Sequence, residues 1–305
     1  MQHSIFLPLC ILLLGAFLPS CGTSSTPDNG GVTATTVGTE EPDQFGGIAL
    51  YTLRDTMGKD PKGVLRAVAD MGYEYIEAAG YADGKYYGMT PADFKATLAE
   101  VGLKPMSSHQ SSMTRENAKQ EVADAKAAGF RYIVIPVPPE GIFHYDPATQ
   151  TLGMKGTVAE TSDIINTIAA EAAAQGMMAL YHNHDFEFKP NADGVVPMDY
   201  FIENSNPDEL NFQMDLYWVT KAGADPLEYF DRYPGRFKAW HVKDMDEQGR
   251  FAPVGTGSID FDRILAAQEK SGMEFYLVEQ DATFNETPME AIAISHRALE
   301  EIGFE

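Results

Sequence analysis

From residue 47 onward the chain repeats one pattern of apolar and polar positions. A short apolar run ends in polar or charged residues, and an alanine-rich segment with apolar positions at helical spacing follows. The apolar runs fall at 48–53, 73–78, 103–108, 132–137, 177–182, 210–215, 237–242 and 274–279. Runs of this length bounded by turn residues predict strands buried on both faces. The segments between and after them predict helices at 61–71, 91–101, 115–128, 156–175, 197–203, 226–233, 260–270 and 288–302.

Local chemistry supports these boundaries. Pro61, Pro91, Pro197, Pro226 and Pro288 stand at helix starts, where the missing N–H costs nothing. Gly72, Gly102, Gly129, Gly176 and Gly272 lie between a helix and the next strand, as C-caps. Eight such units predict an α/β fold of the (β/α)8 TIM barrel type, a single domain over residues 46–305. A doubly wound open sheet usually carries a Gly-rich phosphate loop after its first strand. Here that strand runs into Leu53, Arg54 and Asp55 instead.

Composition narrows the partners. Against 22 basic residues stand 45 acidic ones, a formal charge of −23, and such a surface repels phosphate backbones. Nucleic acid is therefore not expected. The two cysteines, Cys10 and Cys21, both precede the barrel, so it holds no disulfide or thiolate metal site. Residues 5–18 form an apolar run too short to span a membrane comfortably, followed by Leu18-Pro19-Ser20-Cys21-Gly22. This resembles the lipobox of bacterial lipoprotein signal peptides, although Pro19 is unusual there and the first four residues lack Lys or Arg. The resemblance implies a signal peptide over 1–21, a lipid anchor on Cys21 and a periplasmic or cell-surface location. Residues 22–45, rich in Gly, Ser, Thr and Pro, read as a flexible tether.

In a barrel of this kind the C-terminal ends of all strands meet on one face, where active sites lie. The densest group is Tyr181-His182-Asn183-His184-Asp185-Phe186-Glu187-Phe188, at the end of the fifth run. Asp215, His241 and Glu279 end the next three runs. Two carboxylates and an imidazole suit Mn, Co, Zn or Fe better than Ca, with Mg also compatible. A fourth ligand is expected from strand 5, either Glu187 or His182, with Glu187 preferred because it preserves the charge. By the alternation of side chains, His182 and His184 share one side of their strand, and His241 and Lys243 share one side of theirs. Trp218, Tyr217, Phe143 and His144 lie on loops at the same face, as sugar-stacking groups or as ordinary loop packing. The loop over 136–155 is long enough to act as a lid.

The motifs YHNHDFEF, QMDLYW, WHVKD and VEQD resemble those of the sugar phosphate isomerase/epimerase family, with its xylose isomerase-like barrel. The resemblance covers roughly residues 46–304, the first half mainly by layout. It implies a divalent metal held by Asp215, His241, Glu279 and a strand-5 residue, with Glu187 and Glu279 as the catalytic carboxylates. A strand-5 Glu stands in many members where this chain has His182, which makes His109, at the end of strand 3, the alternative catalytic base. Glu77 is expected to hydrogen-bond substrate hydroxyls or to form a salt bridge across the barrel mouth. Lys243 is expected to stabilise an enolate or to form an ion pair with Asp215 or Glu279.

These groups indicate removal of a proton next to a carbonyl of a sugar or keto-sugar. Isomerisation or epimerisation is the family's usual outcome, and β-elimination from a 3-keto-glycoside uses the same site. A catalytically silent, sugar-binding lipoprotein is the alternative outside enzymology.

Overall fold

The computed structural model describes residues 44–149 and 151–304. The signal peptide over 1–21 and the tether up to residue 43 lie outside the described residues. Eight parallel strands close into a barrel: β1 (Gly47–Ala49), β2 (Tyr75–Ala78), β3 (Lys104–His109), β4 (Tyr132–Ile135), β5 (Met178–His182), β6 (Leu210–Asp215), β7 (Phe237–Val242) and β8 (Phe275–Val278). Each strand pairs with its neighbours in the chain, and β1 closes the ring against β8 through Gly47 opposite Leu277. The expected (β/α)8 architecture is the one observed.

Boundaries differ where local chemistry intervenes. β1 stops at Ala49, because Leu50–Leu53 turn into a 3-10 helix that carries Leu50 and Leu53 into the core. β4 ends at Ile135, ahead of Pro136, which has no N–H for the ladder. The helix expected over 260–270 divides into Phe261–Leu265 and Gln268–Ser271. An unanticipated helix, Leu216–Lys221, starts directly at the end of β6. The proline signals held: Pro61, Pro91, Pro197, Pro226 and Pro288 each open a helix. The five C-cap glycines adopt left-handed φ between +75° and +99°. At Gly272 the constraint is also steric, since a Cβ would sit 2.6 Å from Gly235 Cα. The long loop after β4 carries an antiparallel hairpin, Phe143–Asp146 with Thr151–Met154. Among the described residues no helix is long and apolar enough to cross a membrane.

Packing falls into two layers. The larger apolar cluster lies between strands and helices and includes Ile76, Ile133, Tyr181, Phe212, Trp240 and Val278. The smaller fills the lower half of the barrel interior with Tyr75, Tyr132, Val134, Leu180, Ala239, Phe275 and Leu277. Alternation along the same strands then places Glu77, His182, Gln213, Asp215, His241 and Glu279 above this apolar floor. The floor is filled so closely that a Cβ on Gly47 would lie 2.2 Å from the Tyr75 ring and 2.8 Å from Leu277. Gly47→Ala is therefore expected to destabilise the protein by about 1–3 kcal/mol. Chemical denaturation checks this, and a variant as stable as the parent would show that the floor has slack.

Candidate metal centre

The deepest polar group of the barrel is the Glu77 carboxylate on β2, fully buried. Its Oε2 accepts hydrogen bonds from Ser107 Oγ and Gln213 Nε2, both at 2.7 Å. Its Oε1 lies 2.8 Å from His241 Nε2 and 3.0 Å from His109 Nε2. Burial alone would raise the Glu77 pKa, but the imidazoles of His109 and His241 outweigh it and hold the carboxyl well below its usual range. Glu77 is therefore saturated beneath the site. It forms the ion pairs across the barrel rather than facing substrate.

Glu77 also sets the tautomers above it. Because Gln213 donates its amide N–H to Glu77, its Oε1 points at the histidines as an acceptor. His182 Nδ1 donates to that oxygen at 3.0 Å, which leaves the Nε2 lone pair free, 3.9 Å from Asp215 Oδ2. His109 Nε2 donates to the same oxygen at 2.8 Å, leaving Nδ1 as its basic nitrogen. His241 Nε2 is held by Glu77, so its Nδ1 faces Glu279 Oε2 at 2.9 Å and Asp215 Oδ2 at 3.8 Å. Gln213 was not singled out in the sequence. Its signal is parity, since it precedes Asp215 by two on a strand whose alternate residues point inward.

Asp215 has two functions written into one motif. Its Oδ1 caps the helix Leu216–Lys221 by accepting from Trp218 N at 2.9 Å, which leaves Oδ2 for a cation. Its own backbone N–H donates to Asn183 Oδ1 at 3.0 Å, tying the ends of β5 and β6 together. Lys243 is fully buried, with Nζ 2.8 Å from Asp215 Oδ2, 2.6 Å from Glu279 Oε2 and 3.0 Å from Asp281 Oδ1. The structure thus realises the ion-pair alternative for Lys243, under a roof of Trp218 and Phe251 rings. The approach to Asp215 Oδ2 lies outside good hydrogen-bond geometry, so that buried oxygen keeps a lone pair.

The charges are mutually dependent. Burial opposes the Lys243 and His241 cations, yet the carboxylates overcome it: Asp215, Asp281 and Glu279 raise Lys243 well above its usual value, and Glu279 with Glu77 pushes His241 up to about 10. In return Lys243 and His241 outweigh burial at Glu279 and keep it well below the carboxylate range. At Asp215 burial wins over Lys243 and His241, and its pKa rises. Burial, reinforced by the neighbouring imidazoles, drives His182 well below its usual value, so it presents a neutral ring.

His182, Asp215, His241 and Glu279 offer ligand atoms all within 4.8 Å of one another. Bonds of about 2.1 Å to one ion in a tetrahedron put ligand atoms about 3.4 Å apart, so this set would contract to close around a metal. Each histidine has its other nitrogen anchored, His182 by Gln213 and His241 by Glu77, as metal-ligating imidazoles require. The donor set fits a divalent transition metal. His109, His182 and His241 form a second, overlapping group of that kind.

Two expected residues are not brought to this group as anticipated, and Glu77 takes the salt-bridge role that was the alternative for it. Glu187 lies behind β5, accepting from Tyr181 Oη and His184 N, both at 2.9 Å, and is fully buried. Tyr181 points outward into the helix layer, and Glu187 follows it, so the strand-5 member of the group is His182. His144 is exposed on the hairpin. Its neighbour Phe143 faces His184 with ring centroids 6.1 Å apart, and alternation turns His144 the other way. Glu77 lies under the group, as described above. His184 and Trp218 do stand beside it: the His184 ring is 5.1 Å from His182 and 5.4 Å from Trp218. His184 Nδ1 and Trp218 Nε1 are buried without a hydrogen-bond partner. The Asp of WHVKD, Asp244, instead organises the following loop, accepting from the backbone N–H groups of Met245, Gly255, Gly257 and Ile259.

A closed parallel barrel with a His/Asp/Glu cluster at its C-terminal mouth defines the class. The chain belongs to the xylose isomerase-like TIM barrel family, whose profile matches residues 65–301. A crystal structure of a sugar phosphate isomerase/epimerase from Parabacteroides distasonis superposes with a TM-score of 0.72 at 25% identity, covering 85% of this chain and 98% of that one. An inosose dehydratase from Lacticaseibacillus casei is 27% identical over 138 residues, which are 38% of this chain and 45% of that enzyme. The chain thus spans less than half the length of that relative. The IolI protein with a bound zinc atom shares the fold alone, at 16% identity and a TM-score of 0.62, covering 85% of this chain and 97% of that one.

The position of Glu187 has a measurable consequence. Burial pushes its carboxyl up from an ordinary 4.5 to about 8. The folded protein therefore keeps a proton that the unfolded chain has lost, and the stability this contributes disappears as pH rises from about 4.5 through about 8. Glu187→Gln is expected to flatten that part of the stability–pH profile while leaving bound metal unchanged. Parallel melting curves across this window check it; an unaltered slope, or lost metal, would contradict the assignment.

Proposed function

We propose that the protein is a divalent-metal-dependent enzyme that acts on a sugar or keto-sugar by β-elimination next to a carbonyl. The observation that carries this reading is the pair of imidazoles. His182 takes the strand-5 position that a second glutamate would need for two-carboxylate proton exchange, and His109 keeps Nδ1 basic because Nε2 is committed to Gln213 and Glu77. One base removes one proton from one face; epimerisation asks for a second base opposite. Glu279, held by His241 and Lys243, is poorly placed for that task.

Bound by His182, Asp215, His241 and Glu279, the metal would polarise the substrate carbonyl as a Lewis acid. His109 Nδ1 takes the α-proton, and the electron pair of that C–H bond moves toward the carbonyl oxygen. The pair returns to form a carbon–carbon double bond as the β carbon–oxygen bond breaks, and the departing oxygen takes up a proton. His184 Nδ1 and Trp218 Nε1, unpartnered beside the site, are suited to hold substrate oxygens. The partial similarity to inosose dehydratase supports elimination, as an enzyme of that name removes water from inosose.

Outside the cytoplasm, where the Cys21 lipid anchor would hold the protein, degraded glycans supply such substrates more readily than phosphorylated sugars. A 3-keto-glycoside is therefore the proposed substrate class. Isomerisation or epimerisation is the second reading, favoured by the likeness to the Parabacteroides distasonis protein over nearly its whole length.

The test is release of aglycone from a 3-keto-glucoside by the protein loaded with Mn or Co. Release should stop with EDTA and fall by at least about 10²-fold in His109→Ala. Asp215→Asn, which preserves the helix cap, should lose both metal and activity. Solvent-deuterium incorporation into a sugar without release would instead establish isomerisation or epimerisation. Neither release nor exchange across a panel of sugars and keto-sugars would leave a sugar-binding protein. Glu77→Gln is expected to weaken metal affinity about 10–100-fold through the loosened histidines. Calorimetric titration reads this directly, and unchanged affinity would remove Glu77 from the account.

A further inference from the structure

We propose that the cavity between the loops after β1 and β8 is a sugar subsite that receives the leaving group of the reaction. The inference rests on the elimination reading above. The cavity holds about 200 Å³ and is lined by Thr52, Arg54, Asp55, Gln280, Asp281 and Thr283, among others. It is smaller than the roughly 300–1,000 Å³ sites of drug-sized ligands and suits one monosaccharide. One carboxylate joins it to the reaction centre. Asp281 lines the cavity and accepts from Lys243 Nζ at 3.0 Å, and the same ammonium contacts Asp215 and Glu279. The Asp281 side chain keeps 22% of its surface exposed, against 4% for Glu279. A single buried ion pair, Lys243 with Asp281, thus stands between the metal ligands and the cavity.

The lining selects the ligand. Hydroxyl, amide, guanidinium and carboxylate groups stand beside Leu53, Ala282 and Pro288, a mixture of polar and apolar surface that matches the hydroxyls and C–H faces of a sugar, and a wholly apolar aglycone would leave the polar groups unpaired. One guanidinium against the carboxylates of Asp55 and Asp281 disfavours phosphate. Two further features indicate a ligand. Gln280 is 2% exposed, and its Oε1 has no hydrogen-bond partner although Nε2 donates to Ala282 O at 3.1 Å. Arg54 is pinned by bonds to Tyr51 O at 2.9 Å and Asp281 O at 2.8 Å, and lies 4.4 Å over the Tyr51 ring. Tyr51, 41% exposed, stands next in the chain to the lining residue Thr52. Among the described residues, the large hydrophobic side chains left exposed are Tyr51, Tyr145 and Phe284, each in a segment that follows the C-terminal end of a barrel strand.

The experiment titrates the full-length protein calorimetrically with glucose and, separately, with inorganic phosphate. Glucose should bind and phosphate should not. Arg54→Ala and Gln280→Leu should each weaken glucose at least about tenfold, a change of about 1.4 kcal/mol. Removing metal with EDTA should leave glucose binding unchanged. In turnover, Arg54→Ala should raise KM for a 3-keto-disaccharide at constant kcat and leave a methyl 3-keto-glucoside unaffected. Absent glucose binding, glucose binding that survives Arg54→Ala or is lost with EDTA, or preferred phosphate would each overturn the subsite. Glucose binding with the expected variant pattern but no turnover of any keto-sugar would sink the elimination reading and leave the subsite standing.

Discussion

The Glu77 carboxylate is the constraint on which the rest of the site depends. From β2 it reaches β3 through Ser107 and His109, β6 through Gln213 and β7 through His241. Those contacts decide which way the Gln213 amide points, and the amide then decides which nitrogen of His182 and of His109 carries the proton. A carboxylate with no solvent to share its charge must be satisfied by fixed donors. The donors it recruits include a histidine of the metal-ligating group, His241, and the amide that anchors the other, His182. The geometry of that group and the cost of burying one charge are therefore the same problem, solved once.

Above Glu77 the balance of charge is held by two cations, His241 and Lys243, against Asp215, Glu279 and Asp281. Such a network contributes little net stability, since desolvation offsets most of the Coulomb gain. The apolar floor of Tyr75, Tyr132, Phe275 and Leu277 and the larger outer cluster supply the stability instead. What the network provides is order: ligand atoms held within a small volume, each histidine anchored from behind. A divalent ion brought to this set would displace the His241 proton and meet side chains already aligned, and the Lys243 ammonium shares its Asp215 and Glu279 oxygens.

The barrel was legible because its signal is periodic and local. Apolar runs, N1 prolines and left-handed glycines each reflect backbone chemistry within a few residues, and the strands and helices they mark recur in the structure within a few residues of their expected ends. The exceptions are equally local: Leu50–Leu53 forms a 3-10 turn, and Pro136 cuts β4 short. Asp215, His241 and Glu279 were legible for a related reason. They end successive strands of a barrel whose strand ends share one face, so topology alone brings them together.

Taken by itself, the amino-acid sequence determined the fold, the face that carries the site and three of the four groups that converge there. Tertiary structure alone decided the fourth, His182 over Glu187, because the loop after β5 folds Glu187 back onto Tyr181 on the helix side of the strand. It also decided that Glu77 supports the histidines from below, that Lys243 is locked among three carboxylates, and that His144 turns away. For Glu187 this depends on which way a side chain points once a strand has ended, whereas for Glu77 and Lys243 it depends on which partners the closed barrel brings within reach. Beyond the last ladder hydrogen bond the alternation of faces no longer holds, and only packing against the rest of the barrel fixes the direction.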